Sequence, residues 1–328
     1  MIDIGRWTLD NNVILAPMAG VTDLPFRKIC KKLGVGMVVG EMVSSDLSLM
    51  NTSKSQYRKI HLEEPEPRSI QIVGWDPKMM ADAAKFNVDQ GASIIDINMG
   101  CPAKKVCNKL AGSALLSDEK QVRKILESVV AAVNVPVTLK IRTGIDPSQK
   151  NGVVISKIAQ ETGISMLTVH GRTRQCKFKG KAEYETIRDI KREVSIPVIA
   201  NGDLGNYEMV KKVLSFTQAD GVMIGRNAHG APWYPGQLAQ YLVSGKGPTE
   251  ISVHEKSEII LEHLDSIYSF YGNFRGVRIA RKHIKWYVQN IYDDRMFLAA
   301  VNKVESAKEQ LEQMSGYLLK IGEQLRAA

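Results

Sequence analysis

The hydrophobic residues of the first 240 positions form short β-branched runs, each followed by a turn and a stretch of helical periodicity. Strands that alternate with helices in this way predict a parallel sheet. The pattern predicts strands over 13–16, 36–41, 69–74, 93–98, 137–142, 166–170, 197–201 and 221–225. The predicted helices between them include 77–90, 118–133, 153–162, 184–194 and 207–216. Eight such units favour a closed (β/α)8 TIM barrel over an open sheet.

The pattern changes near residue 244, where Gly and Pro residues interrupt it. Because nothing periodic crosses this stretch, 244–252 is predicted to be a linker. Beyond it the period is helical throughout, which predicts helices over 258–271, 275–291 and 296–325. The apolar stripe of the last of these is typical of a bundle core and comprises Phe297, Val301, Val304, Leu311, Met314 and Leu318. The predicted organisation is a barrel over 1–243, the linker, and an all-α helical-bundle domain over 253–328.

Composition narrows the class of protein. The chain has 44 Lys+Arg against 35 Asp+Glu, a net charge of +9, and 44% hydrophobic residues, as a globular protein has. No apolar run approaches the roughly 18–20 residues that cross a bilayer, and the first residues lack the features of a signal peptide. The four cysteines form neither a disulfide framework nor a zinc pattern. We therefore expect a cytoplasmic protein with free thiols and no metal.

Polar residues lie at the carboxyl ends of the predicted strands, where barrels carry their chemistry. Side chains alternate along a strand, so Thr138, Lys140 and Arg142 of the fifth strand are predicted to point into the barrel. The same alternation gives an interior set that comprises Gln71, Asn98, Lys140, Arg142, His170 and Asn201. Burying such groups without partners costs several kcal/mol each, on the order of a lost hydrogen bond or more. A bound polar ligand explains these inward polar residues better than hydrogen bonds among the residues themselves.

The loops after the last two strands indicate the kind of ligand. Asn201, Gly202 and Asp203 form one turn, and Gly225 with Arg226 forms the next. Barrels often bind phosphate here, through backbone N–H groups and a cation. Together with Lys140 these turns favour a phosphorylated cofactor with an electron-accepting ring, such as FMN, because a lysine beside the flavin N1–O2 edge stabilises the anionic reduced form.

Cys101 follows the fourth strand on a glycine turn over the predicted barrel mouth. A thiol in this position can deliver or remove a proton at carbon. A free cysteine is more usually a small buried hydrophobe, but the position at a strand end favours the chemical role.

Basic residues without acidic neighbours occupy three segments. Residues 99–117 contain Lys104, Lys105 and Lys109, and 171–182 contain Arg172, Arg174, Lys177, Lys179 and Lys181. A third group lies on one predicted helix face, opposite apolar residues, and comprises Arg275, Arg278, Arg281, Lys282 and Lys285. One such face alone is usually solvated, but three together favour a nucleic-acid backbone as partner.

At these residues the sequence resembles the bacterial tRNA-dihydrouridine synthases, most closely the B branch of that family. The motifs, which span nearly the whole chain in family order, are APMAGVTD at 16–23, DINMGCPAKK at 96–105, KIRTG at 140–144, HGRTR at 170–174, IANGD at 199–203, MIGR at 223–226 and GVRIARKH at 276–283.

The resemblance implies an FMN-containing barrel with a C-terminal tRNA-binding domain and NADPH as reductant. It implies that Pro17, Met18, Ala19 and Gln71 hold the flavin ring, with Lys140 at its N1–O2 edge. His170, Asn201, Gly202, Asp203, Gly225 and Arg226 would hold the ribityl phosphate. A D-loop uridine, turned out of the tRNA, would receive hydride at C6 from flavin N5 and a proton at C5 from Cys101, while Asn98 orients the uracil.

Two alternatives remain open from the sequence. The first is a flavin-dependent dehydrogenase of a small pyrimidine, similar to dihydroorotate dehydrogenases, although the basic loops and the helical C-terminal domain argue against a small substrate. The second is a non-catalytic protein that binds or folds tRNA, which would carry no flavin. The sequence does not give the target uridine or the oligomeric state, and it shows no protein partner.

Overall fold

The computed structural model describes residues 1–108, 110–247 and 250–327. Lys109 of the predicted basic loop and Pro248 and Thr249 of the predicted linker lie outside the described residues. The strands are β1 (Asp3–Ile4), β2 (Trp7–Thr8), β3 (Val13–Leu15), β4 (Met37–Val38), β5 (Val43–Ser44), β6 (Ser69–Val73), β7 (Ile94–Met99), β8 (Val137–Arg142), β9 (Met166–His170), β10 (Val198–Asn201) and β11 (Gly221–Ile224). The helices are α1 (Leu24–Lys32), α2 (Ser53–Gln56), α3 (Pro77–Asp89), α4 (Lys104–Cys107), α5 (Glu119–Ala132), α6 (Gly152–Glu161), α7 (Glu185–Glu193), α8 (Tyr207–Thr217), α9 (Tyr234–Ser244), α10 (Val253–Ile291), α11 (Arg295–Val301) and α12 (Ala307–Ala327).

The strands from β3 onward form one parallel sheet in the order β4-β3-β11-β10-β9-β8-β7-β6-β5. A parallel bridge between Val39 and Ser69 joins the β4 end of this order to β6, and the Gly40 N–H donates to the Ser69 carbonyl at 2.8 Å. The segment 37–44 therefore occupies the second strand position, next to β3 on one side and β6 on the other. The sheet closes on itself, which confirms the predicted TIM barrel.

The second strand is the one that departs most from its prediction. Of the strand expected over 36–41, only the two residues of β4 form a regular strand. Regular pairing begins again at β5, after an interruption. Glu41, which is buried, lies in the interruption, and its carboxylate contacts the Arg58 guanidinium at 2.8 Å and accepts a hydrogen bond from the Gly20 N–H. A buried carboxylate requires such partners, and here they take precedence over a regular ladder.

The helices of the barrel pack their apolar faces on the outer surface of the sheet and begin at recognisable caps. Asp76, Asp118 and Asn206 each accept a hydrogen bond from the backbone N–H three residues further on, at the starts of α3, α5 and α8. The core between sheet and helices consists mainly of buried Val, Ile and Leu side chains. This core fixes the strand ends and therefore the side chains that project from them.

The C-terminal helices form a second core around α10. A capping box of Ser252 and Glu255 begins α10, and Gly272, with φ +73°, breaks its helical geometry between the two predicted helices. The single helix predicted over 296–325 is wrong, because α11 ends at Val301 and α12 begins at residue 307. The Glu309 N–H donates to Ser306 Oγ at 3.4 Å, so an N-cap starts the second helix. No helix in the described part of the chain is long and apolar enough to span a membrane.

Candidate active site

A cavity of about 570 Å³ opens at the carboxyl ends of the barrel strands. Its size falls within the range of about 300–1,000 Å³ that is typical of small-molecule sites. Among the residues that line it are the predicted residues Pro17, Met18, Ala19, Gln71, Asn98, Cys101, Lys140, Arg142, His170, Asn201, Gly202, Asp203, Gly225 and Arg226. The structure therefore brings the cofactor-binding candidates and the candidate acid into one pocket.

Two pocket-lining residues, Gln71 and Asn98, belong to a chain of hydrogen-bonded side chains that includes Asp96. Asp96 is buried and accepts hydrogen bonds at 2.6 Å from Gln71 Nε2 and from the Thr138 hydroxyl. Burial raises the pKa of Asp96, although these two bonds and the nearby Lys140 oppose the rise. Gln71 Oε1 in turn accepts from Asn98 Nδ2 at 2.6 Å, which fixes the orientation of both amides.

Lys140, Asn201 and His170 form the next group along the pocket wall. Asn201 Nδ2 donates to the Met223 carbonyl at 2.7 Å, so its Oδ1 is the acceptor for Lys140 Nζ at 3.2 Å and for His170 Nδ1 at 2.7 Å. Burial, with Lys140 and Arg142 nearby, lowers the pKa of His170 to about 3, so the ring is neutral at pH 7. The neutral ring carries its proton on Nδ1, and its buried Nε2 is an acceptor with no partner in the protein.

Burial also determines the state of Lys140. Removal of its ammonium group from water, together with the neighbouring Arg142, lowers its pKa to about 8, against an attraction from Asp96. Lys140 therefore remains a cation at pH 7 with little margin. The pocket therefore contains one unpartnered acceptor, His170 Nε2, and one cation, Lys140. These two groups fit a ligand that has both a hydrogen-bond donor and a negative charge.

Cys101 sits on a turn that Asn98 holds. Asn98 Oδ1 accepts from the Gly100 N–H at 3.1 Å and from the Cys101 N–H at 2.9 Å, and the Ser113 hydroxyl donates to the Cys101 carbonyl at 2.9 Å. Burial raises the pKa of the Cys101 thiol above its ordinary value, so the group is protonated at neutral pH. A protonated thiol on a fixed turn at the pocket wall is suited to donating a proton.

Arg142, predicted to point into the barrel, and Arg172, predicted to face a nucleic-acid backbone, are both used inside the protein. Arg142 Nε donates to the Gly100 carbonyl at 2.8 Å, and its Nη1 donates to the Thr173 and Lys177 carbonyls at 2.9 and 2.8 Å. Arg172, only 4% exposed, pairs with Asp203 at 2.6 Å and also donates to the Lys179 and Gly180 carbonyls. These arginines join the Cys101 turn, the 171–182 loop and the Asp203 turn to one another.

The turn at Asp203 combines close packing with charge. Partial burial opposes ionisation, but the hydrogen bonds from Arg172 and the Ala182 N–H hold the pKa of Asp203 below its ordinary value. Gly202 has φ +119°, and a Cβ added there would lie 2.9 Å from the Ala182 side chain. A glycine is required at this position for both reasons. Arg226 approaches Asp203 at 3.3 Å and remains more than half exposed at the pocket edge.

The remaining predicted basic residues lie around the mouth or on α10. Lys104 and Lys105 are exposed on the short helix α4 beside Cys101, and Arg174 is half-buried in the 171–182 loop. On α10, Arg278 and Lys285 are exposed, whereas Arg281 and Lys282 are half-buried. Arg281 Nη2 donates to the Val304 carbonyl at 3.1 Å, and Lys282 Nζ donates to the Gly20 carbonyl.

The pocket also contains residues that the sequence analysis did not assign to it. Phe178 is 59% exposed and lies at the mouth between the guanidinium groups of Arg142 and Arg226, 5.5 and 5.7 Å from its ring centroid. His229 lines the opposite wall, with its Nε2 3.3 Å from Met18 Sδ. Phe178 lies in the 171–182 loop, where the sequence signal is one of charge, and His229 follows closely on the Gly225 turn. Their distance from the regular strands left no periodic signal.

A closed parallel barrel with a polar pocket at its strand ends defines an α/β-barrel enzyme. Within the described residues, no cluster of three or more His, Cys, Asp or Glu side chains is arranged to hold a metal ion. The family model described as dihydrouridine synthase (Dus) matches residues 14–321, so the chain belongs to the dihydrouridine synthase family.

Its relatives include a tRNA-dihydrouridine synthase B of Pseudomonas syringae pv. tomato, 56% identical over 94% of this chain and 92% of that protein. Another tRNA-dihydrouridine synthase B, from Shewanella oneidensis, is 52% identical over 96% of this chain and 98% of its own length.

Solved structures with the same fold are more distant in sequence. An old yellow enzyme homologue from Zymomonas mobilis superposes with a TM-score of 0.52 at 13% identity, over 78% of this chain and 94% of that one. A histamine dehydrogenase from Rhizobium sp. 4-9 superposes with a TM-score of 0.55 at 11% identity, over 98% of this chain and 64% of that one. At this level of identity the likeness extends to the fold alone.

Proposed function

We propose that this protein reduces the C5=C6 bond of a D-loop uridine in tRNA to 5,6-dihydrouridine, with FMN as cofactor and NADPH as reductant. Family membership supports the reaction. The observation that carries it in this chain is the Cys101 thiol, held on a fixed turn at the wall of a pocket lined by Lys140 and His170.

The donor set of the pocket fits a flavin mononucleotide. The unpartnered His170 Nε2 is an acceptor, so it suits a ribityl hydroxyl, which can donate a hydrogen bond, better than a phosphate oxygen, which is itself an acceptor. Lys140 is a cation within the same wall, suited to the N1–O2 edge of the ring. Gly202 and Gly225 let backbone approach closely, and the exposed Arg226 supplies charge for the phosphate. Pro17, Met18 and Ala19 offer an apolar wall for the ring.

A flavin held by these residues would supply the hydride for C6 of the uracil. Cys101 supplies the proton at C5, and its thiolate is reprotonated from solvent between turnovers. Asn98 holds the Cys101 turn through Oδ1 and is itself held by Gln71, so its main contribution is to position the thiol. Arg142 restrains the same turn through the Gly100 carbonyl. The raised pKa of Cys101 keeps the proton on sulfur until the uracil takes it.

The tRNA would contact the basic mouth and the exposed face of α10. Lys104 and Lys105 flank Cys101, and Arg278 and Lys285 are exposed on α10. Such residues bind phosphates without reading sequence, so they would hold the tRNA while one uridine turns out of the stack into the pocket. We therefore propose residues 253–328 as the tRNA-binding domain, joined to the catalytic barrel over 1–243 by 244–252.

The test is anaerobic and follows the flavin itself. The purified protein is loaded with FMN, reduced with NADPH, and mixed with tRNA that lacks dihydrouridine while the flavin absorbance is recorded. We expect reoxidation by this tRNA and the formation of dihydrouridine, with none by free uridine or orotate. Reoxidation by orotate alone would make the protein a dehydrogenase of a small pyrimidine, and a protein that takes up no flavin would contradict the proposal outright.

A further inference from the structure

One basic residue of α10 is directed at the barrel. Lys282 is half-buried, and its Nζ donates to the carbonyl of Gly20 in the loop that follows β3. Residues 16–19 and 21 of that loop line the pocket, so we call 16–23 the β3 loop. Lys285, one turn further along the same helix, is exposed. The two lysines therefore have different surroundings although they are close in sequence.

The contact closes a small network around the β3 loop. Gly20 has φ +78°, its N–H donates to the Glu41 carboxylate, and its carbonyl accepts from Lys282. Asp23, at the end of the loop, is buried and accepts from the Tyr271 hydroxyl of α10 at 3.0 Å. Burial lowers the pKa of Lys282, and the attraction of Asp23 and Glu41 opposes that shift. The ammonium group therefore interacts favourably with two carboxylates at this loop, of which Glu41 is also paired with Arg58.

The next two turns of α10 contact the neighbouring pocket loop. The His229 ring stacks on Trp286 with centroids 4.1 Å apart, and Asn290 Nδ2 donates to the His229 carbonyl at 2.9 Å. His229 in turn contacts Met18 of the β3 loop at 3.3 Å. Two adjacent loops of the pocket therefore contact the same helix, one through Lys282 and the other through Trp286 and Asn290.

We propose that Lys282 is a positioning residue for the flavin site rather than a ligand of RNA: it holds the β3 loop in the conformation that contacts the flavin ring. The inference rests on the proposed function only in naming FMN as the occupant. A half-buried side chain that donates to a backbone carbonyl and lies near two carboxylates is poorly placed to bind a phosphate, whereas Lys285 is exposed on the same helix. Lys282 consequently connects the helical segment to the pocket.

The experiment compares Lys282→Met with Lys285→Met in the full-length protein. FMN affinity is measured on the apoprotein by fluorescence quenching, the visible absorption band of the bound flavin is recorded, and tRNA affinity is measured at several salt concentrations with FMN saturating. We expect Lys282→Met to weaken FMN binding by about tenfold, as the loss of one charge-assisted hydrogen bond does, and to shift the flavin band. We expect its tRNA affinity to change by less than about twofold, and its salt slope to stay the same.

The control should show the opposite pattern. Lys285→Met is expected to weaken tRNA binding and flatten its salt dependence by about one phosphate contact, with FMN affinity and the flavin spectrum unchanged. Lys282→Arg, which keeps the charge and a donor, should restore most of the FMN affinity. If Lys282→Met instead loses tRNA affinity as Lys285→Met does, with an unchanged flavin, the inference is overturned.

A second variant covers a failure of Lys282→Met to fold. Tyr271→Phe removes the hydroxyl that is bonded to Asp23 from the same helix. Weaker FMN binding with unchanged tRNA affinity is expected, and unchanged FMN binding would overturn the inference. A wild-type protein that binds no FMN at all contradicts the proposed function instead, so the two failures are distinguishable.

Discussion

The pocket in the barrel and the basic face of α10 are both rich in charge, but the two regions hold their charges differently. In the pocket, Asp96 is buried and Lys140 and His170 are half-buried, each is bonded to a neighbour, and burial displaces the pKa of all three. On α10, Arg278 and Lys285 stand in solvent. A buried polar group is costly without partners, while an exposed one costs almost nothing.

This difference shows which region demands a ligand. The pocket holds an acceptor without a partner and a lysine near the limit of its charged state, and a ligand would relieve both. The exposed face of α10 is stable as it is, so its charge becomes informative only with a partner present. Function in the pocket should therefore respond sharply to single substitutions, and function on the helix face gradually to charge and salt.

The largest expected effect is that of Cys101→Ala. We expect uridine reduction to fall by about 10²–10⁴-fold, the usual contribution of a general acid, with FMN and tRNA binding retained. Cys176→Ala, which changes a half-buried cysteine that does not line the pocket, is the matched control and should keep its activity. Because burial raises the pKa of Cys101, wild-type turnover should hold through neutral pH and fall as the pH rises past the ordinary thiol value. Single-turnover flavin reoxidation by tRNA measures both, and undiminished turnover in the alanine variant would remove Cys101 from its role.

The next effect concerns Lys140 and pH. Its pKa of about 8 means that the free pocket loses a positive charge as the pH rises through that value. FMN favours the charged form, so FMN affinity should be full below pH 8 and fall by up to about tenfold per pH unit above it. Lys140→Met should bind FMN more weakly by about tenfold or more, with a flat pH profile between pH 7.5 and 9.5. Titration of the apoprotein with FMN at several pH values tests this, and a wild-type profile as flat as that of the variant would contradict it.

The barrel and its interior could be predicted because both depend on local periodicity. Strand alternation alone placed Thr138, Lys140 and Arg142 on the inner face, and the structure has all three there. They are hydrogen-bonded to Asp96, Asn201 and the Gly100 carbonyl, respectively. Alternation does not predict which partner each side chain binds when that partner comes from another loop. Nothing in the sequence shows that Asp203 takes the Arg172 guanidinium, because the pairing joins two loops that are 31 residues apart.

On α10 the helical period correctly separated an apolar side from a basic side, but it could not distinguish charges within the basic side. Lys282 differs from Lys285 only in what the barrel presents to it, a carbonyl and two carboxylates of the first two strand segments. Such contacts arise from tertiary packing, and they depend on the direction in which each residue points around the helix axis. The sequence alone therefore could not show that Arg281 and Lys282 are half-buried while the other three basic residues are exposed.

A smaller effect is expected on the helix face. The double variant Arg278→Ala and Lys285→Ala should weaken tRNA binding by about tenfold near 0.1 M salt and reduce the salt slope by about two, one for each phosphate contact. NADPH oxidation by the flavin should not respond, since neither residue lines the pocket. Filter binding over a salt series provides the measurement. Equal affinity in the variant and the wild type would mean that this face is only solvated surface.

The smallest expected effect is on stability, and it contrasts the two regions directly. Thr138→Val removes the hydroxyl that donates to Asp96 at 2.6 Å and keeps the shape of the side chain, so we expect a loss of about 1–2 kcal/mol in the free energy of unfolding. Lys285→Ala, on the exposed face, should change it by less than about 0.5 kcal/mol. The hydroxyl stabilises the charged form of Asp96, so its removal raises a pKa that burial has already raised. The loss should therefore grow as the pH rises through the pKa of Asp96, because the charged form that the hydroxyl stabilises is populated only above that pKa. Urea unfolding over a pH series measures both variants, and a loss that does not change with pH would show that the bond does not serve the carboxylate.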